Sequence, residues 1–185
     1  MWAYDGRRRP DFAETPGPGQ ESVWDYPRPP RLEVCRQTVV VSAGGQEIAR
    51  STRALRVCET ASPPTYYIPG DDVDPDALQA VPGESFCEWK GVARYWGLVE
   101  VRGHRGAEAA TAKQAARQAT MEAAMATEAV GWSYPDPNPA YAELRGCIAF
   151  YPGRVQCTVG GERVRPQPGH FYGGWVTDEL VGPWK

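Results

Sequence analysis

The amino-acid sequence predicts an all-β domain, mainly antiparallel, that carries one inserted α-helix. Short runs of β-branched and aromatic residues alternate with turn signals along most of the chain, which contains 20 Gly and 18 Pro among 185 residues. Residues 107–130 break this pattern, since they contain eleven Ala and no Gly or Pro. Many short strands separated by turns are typical of a β-sandwich or a β-barrel.

The first thirty residues predict an extended, Pro-rich arm. Six prolines lie between positions 10 and 30, and the segment has little apolar periodicity. Trp24 and Tyr26 are the side chains that would dock this arm onto the body. Residues 31–185 are predicted to form a single β domain, because a chain of this length fits one domain.

The strand predictions follow the turn signals in order. Residues 31–52 predict two strands around a Gly44-Gly45 turn, which is a strong hairpin signal. The acidic segment 71–78 predicts a turn or a brief helix. Further strands are predicted at residues 54–60, 65–69 and 85–103, and in a strand–turn–strand unit at residues 147–166.

The Ala-rich segment 107–130 predicts a helix about 36 Å long, at 1.5 Å per residue. Its large apolar side chains are few and lie in its second half: Met121, Met125 and Val130. We therefore expect a helical insertion on the surface of the domain.

Charge and cysteine content exclude several classes of protein. The 20 Lys and Arg against 23 Asp and Glu give a net charge of −3, which offers no electrostatic surface for duplex nucleic acid or an anionic membrane. No apolar run reaches the roughly 18 residues of a membrane span. The five cysteines form no C-x-x-C pair, which favours buried thiols over disulfides or zinc ligands. We expect a cytoplasmic monomer or homodimer with no metal and no cofactor.

Candidate catalytic residues are concentrated between positions 59 and 90: Glu59, Cys87 and Lys90. If residues 85–92 form one strand, Cys87 and Lys90 point to opposite faces. A lysine enclosed by aromatic rings loses hydration of its ammonium group, which favours a neutral amine able to act as base or nucleophile. A thiolate at Cys87 would need a nearby cation, which Lys90 would supply. The alternatives are that Lys90 extends into solvent, that Glu59 pairs with an arginine and that Cys87 is an inert thiol.

Aromatic side chains form a second set of candidates, here for ligand binding: Tyr67, Tyr95, Trp132, Tyr134 and Tyr151. Such rings stack against a planar ligand, for example a base, an aromatic acid or a sugar. The alternative is that the rings belong to the core of a β protein. One cluster can serve both purposes.

Five long motifs resemble the family known as domain of unknown function 427, which is also labelled nucleotidyltransferase-like. They are ESVWDYPRPPRLE (21–33), STRALRVCETASPPTYYIP (51–69), SFCEWKGVARYW (85–96), GWSYPDPNPAYAELRGCIAFYPGRV (131–155) and GERVRPQPGHFYGGWVTDELVGPWK (161–185). The resemblance implies a compact, tent-like β fold similar to Mss4 and methionine sulfoxide reductase B. Those proteins carry paired C-x-x-C zinc sites, which this chain lacks, so zinc is not implied.

The resemblance also implies which positions recur in the family. They are Glu59, Tyr67, Cys87, Lys90, Gly91, Tyr95, Trp132, Tyr134 and Tyr151. The chain departs from the family pattern where the 107–130 segment replaces a short turn.

Three functions remain open from the sequence. The first is a domain that binds an unknown small molecule in an aromatic pocket, with Lys90 and Glu59 as a pair that would allow catalysis. The second is a nucleotidyltransferase-like enzyme, although carboxylates that hold Mg²⁺ beside a phosphate-binding loop are not evident. The third is a protein-interaction module that uses the arm and the Ala-rich helix.

Overall fold

The structure is a computed structural model that describes residues 4–99, 128–169 and 172–184. Within these ranges the chain forms short strands and three 3₁₀ helices, at Val23–Asp25, Gly70–Asp72 and Pro139–Leu144. The strands are, in chain order, Glu21–Ser22 (β1), Arg31–Val34 (β2), Val39–Ala43 (β3), Gln46–Ser51 (β4), Leu55–Cys58 (β5), Thr65–Pro69 (β6), Leu78–Cys87 (β7), Gly91–Leu98 (β8), Gly131–Ser133 (β9), Cys147–Phe150 (β10), Gln156–Val159 (β11), Glu162–Arg163 (β12), Arg165–Pro166 (β13), Trp175–Val176 (β14) and Leu180–Val181 (β15).

Two larger sheets organise the described residues. One has seven strands in the order β2-β5-β6-β10-β9-β8-β7, and the other has four in the order β12-β11-β3-β4. Two short pairs, β1-β15 and β13-β14, complete the topology. The β1-β15 pair is parallel and the ladders of the two larger sheets are antiparallel. The all-β prediction is confirmed, and across the described residues neither sheet closes into a barrel.

The strand segments confirm much of the local analysis. β3 and β4 pair across Gly44 and Gly45, whose φ angles of 57° and 82° lie in the left-handed region that glycine adopts without strain. Strand β6 covers residues 65–69 as expected. Val39 and Val41 are buried while Val40 between them is less so, which follows the two-residue period of a strand.

The main core fills the space between one face of the seven-stranded sheet and the four-stranded sheet. Ile68 and Phe150 contribute from the larger sheet, and Val41 and Cys157 from the smaller one. Trp175 of β14 lies in the same cluster and is fully buried. The opposite face of the seven-stranded sheet is therefore left for other contacts.

One expectation is wrong in detail, and a second is tested only at its end. The single strand expected over residues 85–103 is two strands, because residues 88–90 turn and Gly91 takes a φ of 99°, so that β7 and β8 form a hairpin. The helix expected over residues 107–130 lies outside the described residues up to position 127. Its last three residues, 128–130, are not helical, and Val130 is buried in the main core.

Residues of the predicted arm pack against the body. β1 pairs with β15, and Trp24 and Tyr26 are buried in a small cluster with Cys58 and Leu180. The boundary between arm and domain stays a prediction. No helix in the described ranges is long and apolar enough to cross a lipid bilayer.

A part-buried ion network joins the arm to the seven-stranded sheet. Arg56 lies opposite Glu33 in the β2–β5 register, with Nη2 at 2.6 Å from Glu33 Oε2. Its Nη1 lies 2.5 Å from Glu21 Oε1. Burial raises the pKa of Glu33, and the hydrogen bonds and charges of Arg56 and Arg31 lower it by more, so that the pKa lies below its ordinary value.

This network gives the stability of the fold a dependence on pH. Because the pKa of Glu33 is lower in the folded state, its stabilising contribution is present above the unfolded-state pKa of about 4.3 and is lost as the pH falls through the folded pKa. We expect Glu33→Gln to lower the free energy of unfolding at pH 7 and to have little effect at pH 3, measured by urea denaturation. Glu143→Gln, on an exposed side chain, is the control. An equal loss for Glu33→Gln at both pH values would contradict this assignment.

Candidate functional site

The register of the seven-stranded sheet places separate aromatic residues in one row. Tyr95 of β8 lies opposite Trp132 of β9, Trp132 lies opposite Ala149 of β10, and Ala149 lies opposite Tyr67 of β6. Residues directly opposite each other share a face of the sheet. Ala149 lies between Trp132 and Tyr67 in this row, and its small side chain lets their rings meet edge to face with their centres 6.2 Å apart, on the face turned away from the four-stranded sheet.

A cavity of about 500 Å³ opens on this face. Its lining includes all eight residues that the sequence analysis singled out: Glu59, Tyr67, Cys87, Lys90, Tyr95, Trp132, Tyr134 and Tyr151. They come from six different segments of the chain. Tyr67, Trp132 and Tyr134 are buried, whereas Tyr95, Tyr151 and Lys90 are partly exposed at the opening.

The turn between β7 and β8 brings Cys87 and Lys90 to the same cavity. The expectation that they point to opposite faces is wrong, because it assumed one continuous strand. Asn138 holds the turn from outside: its side-chain amide donates to the Trp89 carbonyl at 2.8 Å, and its backbone N–H donates to the Lys90 carbonyl at 3.1 Å. Lys90 therefore extends from a turn whose backbone is held by Asn138 at two successive carbonyls, those of Trp89 and Lys90.

The charges at the cavity are arranged differently from the expected Lys90–Glu59 pair. Arg28, from the predicted arm, places Nη1 at 2.6 Å from Glu59 Oε1 and Nη2 at 2.6 Å from Glu88 Oε1. Its guanidinium lies 5.3 Å from the centre of the Trp89 ring. The expected pair is replaced by an Arg28–Glu59 pair, which is the alternative that the sequence left open for this carboxylate.

Lys90 has a different environment. Its Nζ lies 5.7 Å from the centre of the Tyr134 ring, within the range of a cation–π contact. In the part of the chain that the structure describes, this ammonium group forms no ion pair with a carboxylate. It therefore stands between an aromatic face and the open volume of the cavity.

Polar side chains lie together at the base of the cavity. Trp132 Nε1 donates a hydrogen bond to the Tyr67 hydroxyl at 3.3 Å. The Tyr134 hydroxyl interacts electrostatically with the Tyr67 hydroxyl and with the Cys87 thiol. Burial raises the pKa of both tyrosines well above the ordinary value, and burial raises the pKa of Tyr151 to about 12. These hydroxyls stay protonated and available as hydrogen-bond donors near neutral pH.

Cys87 differs from the other thiols. Cys35, Cys58, Cys147 and Cys157 are buried and free, whereas Cys87 is partly exposed to the cavity. Burial raises the pKa of Cys58 to about 12, as expected for an inert thiol in an apolar site. Among the described residues, no group of three or more His, Cys, Asp or Glu side chains is arranged to hold a metal ion.

One wall of the cavity depends on glycine. A Cβ on Gly173 would stand 2.1 Å from Cη2 of Trp132, and one on Gly174 would stand 2.3 Å from Oε1 of the buried Gln167. Any larger residue at these positions would push into the indole ring or into the amide. The wall therefore approaches the Trp132 ring closely only because residue 173 has no side chain.

Several residues that line or support the cavity were not among the sequence candidates, including Arg28, Trp89, Asn138 and Gly173. Trp89 precedes Lys90 in the sequence, so its position beside a candidate residue could have identified it. The other three were hidden by distance along the chain, since Arg28 lies in the Pro-rich arm and Asn138 and Gly173 follow later strands.

Comparison with known proteins identifies the family. A family model described as a domain of unknown function (DUF427), whose label names nucleotidyl transfer, matches residues 31–119 and 109–161. A search of curated proteins finds no match. The matched residues make up more than half of the chain and include Glu59, Lys90 and Trp132. The resemblance stated from the sequence motifs is thus confirmed, and the chain belongs to the DUF427 family.

Proposed function

We propose that the cavity on the open face of the seven-stranded sheet binds a small planar molecule. The observation that carries this proposal is the row of Tyr95, Trp132 and Tyr67 in the lining of a cavity of about 500 Å³. Small-molecule sites are concave, mostly apolar and carry a few convergent polar groups. This cavity combines rings with hydroxyl, thiol and charged side chains.

The rings are placed for stacking and not only for packing. Trp132 and Tyr151, which both line the cavity, lie with their centres 4.5 Å apart and their planes 43° apart, and the Arg154 guanidinium lies 4.7 Å from the centre of the Tyr151 ring. Tyr151 and Tyr95 keep part of their surface exposed there. A planar molecule that covers these faces would bury apolar area that the folded protein leaves in contact with water.

The proposal is tested with a panel of aromatic acids and their uncharged amides: benzoate and benzamide, and indole-3-acetate and indole-3-acetamide. We expect at least one member to raise the melting temperature of the wild-type protein, because a ligand that binds only the native state stabilises it. Trp132→Ala should weaken that binding about tenfold or more, since it removes the central ring. Isothermal titration calorimetry gives the dissociation constants.

The matched control is Trp96→Ala. Trp96 follows Tyr95 on β8, is partly exposed and lies outside the cavity lining, with its Nε1 bonded to Ser133 Oγ at 2.9 Å. Trp132→Phe provides a second variant if the Ala variant does not fold. A panel that never shifts the melting temperature, or that binds Trp132→Ala and wild type equally, would exclude this function.

Catalysis in the same cavity is the second candidate. It is favoured by the partly exposed thiol of Cys87, which lines the cavity together with Lys90 and Tyr134. A thiol with a nearby cation and a hydroxyl donor is a usual arrangement for nucleophilic or acid–base chemistry. Conversion of a bound panel member, followed by NMR and lost in Cys87→Ala, would distinguish catalysis from binding alone.

A further inference from the structure

The two positive charges of the described cavity lining differ in whether a carboxylate already pairs with them. Arg28 and Lys90 are the cationic side chains of the described lining. Arg28 is bonded to both Glu59 and Glu88 at 2.6 Å, so two carboxylates already neutralise its charge. A guanidinium in such a bridge is well satisfied and offers little further attraction to a ligand.

Within the described lining, Lys90 is the cation that pairs with no carboxylate of the described residues. Its ammonium group faces the Tyr134 ring at 5.7 Å. A cation–π contact stabilises an ammonium group only modestly compared with a charged hydrogen bond. An anionic group placed in the cavity would therefore find, within the described lining, a cationic donor that no carboxylate already holds.

The same position argues against a cationic ligand. Aromatic cages bind quaternary ammonium groups through the faces of their rings. Here the Lys90 ammonium already lies over the Tyr134 face at 5.7 Å from its ring centre, and the ring of Tyr67 lies 6.3 Å from that of Tyr134. A second cation among these rings would be repelled by the first.

Charge balance also argues for one negative charge and not several. In the described lining, Arg28 and Lys90 stand against Glu59 and Glu88, so these four side chains sum to zero. A triphosphate would bring several negative charges to a described lining that holds one ammonium group without a carboxylate partner and two carboxylates. A single carboxylate matches the one cation of the described lining that no carboxylate pairs.

From these contacts we infer that the ligand of the cavity is an aromatic carboxylate, whose acidic group is bound by Lys90 and whose ring stacks against Trp132 and Tyr151. This inference rests on the proposed binding function and names its chemical class. Asn138, which fixes the backbone of the turn, positions Lys90 for that contact.

The test compares each acid of the panel with its amide, and adds adenosine monophosphate and ATP. We expect benzoate or indole-3-acetate to bind about tenfold to a hundredfold more tightly than the matching amide, as expected for a hydrogen bond to a charged group. Lys90→Gln should remove this difference while the amide still binds, and Lys90→Arg should restore most of it. Higher salt should reduce the preference for the acid, because a partly exposed ion pair is screened.

Arg50→Gln is the matched control, since Arg50 is exposed on β4 of the other sheet and pairs with Glu47. Equal binding of acid and amide to the wild type, a preference that persists in Lys90→Gln, or tighter binding of either nucleotide than of the acids would overturn the carboxylate assignment. Those outcomes leave the binding function intact. Absence of binding by every aromatic member, or binding that ignores Trp132→Ala, would instead overturn the binding function itself.

Discussion

Replacing Trp175 with Ala is expected to lower the free energy of unfolding by about 3–5 kcal/mol, as for other fully buried large side chains. Trp175 is fully buried in the core between the sheets and its ring lies 4.9 Å from that of Tyr66. Its Nε1 donates to the Phe150 carbonyl at 3.0 Å. The substitution opens a void and leaves a buried acceptor unpaired. Urea denaturation followed by far-UV circular dichroism measures the loss.

Two further variants test why Trp175→Ala lowers the free energy of unfolding. Trp175→Phe keeps a ring in the core and removes the indole donor, so we expect a smaller loss, of about 1–3 kcal/mol. Trp96→Ala removes the same side chain from a partly exposed position on β8. A loss for Trp96→Ala as large as that for Trp175→Ala would show that the main core is not centred on Trp175.

Substituting Gly173 with Ala is expected to reduce binding of the preferred panel acid about tenfold or more while leaving most of the stability in place. The new Cβ would stand 2.1 Å from the Trp132 ring, so the ring must move. A displaced indole changes the stacking surface and strains its hydrogen bond to Tyr67. Calorimetric titration gives the change in affinity.

Gly153→Ala is the matched control for this substitution. A Cβ there would lie 3.6 Å from Cβ of Pro166, an ordinary contact, and Gly153 does not line the cavity. We expect unchanged affinity for this variant. If Gly173→Ala binds the acid as tightly as Gly153→Ala does, then Trp132 is not the stacking surface.

The local elements of this fold are predictable because each depends on neighbouring residues. The Gly44-Gly45 hairpin and the strand at 65–69 follow directly from turn chemistry and from β-branched and aromatic content. The turn at residues 88–90 was missed because Phe86, Trp89 and Val92 continue a strand-like composition through it. The support that Asn138 gives this turn comes from a residue that lies 49 positions beyond Trp89 in the chain.

The candidate site was partly predictable for a different reason. Lys90 is predictable as a candidate because aromatic residues surround it in the sequence and because the family motifs include it together with Trp132 and Tyr134. These residues come together because of the register in which β8, β9, β10 and β6 pair. That register cannot be derived from the sequence alone. The partner of Glu59 was equally hidden, since Arg28 comes from a segment that composition places in an extended arm.

The most direct test of the binding site follows the indole N–H signals of the ¹⁵N-labelled protein while benzoate is added. Single Trp→Phe variants assign the signals. If the cavity binds the acid, the signals of Trp132 and Trp89 shift and saturate together, because both rings line it, while those of Trp24 and Trp175, in other clusters, stay in place. The proposed binding site would be contradicted if the signals of Trp132 and Trp89 did not move. It would also be contradicted if the signals of Trp24 or Trp175 shifted more than they do.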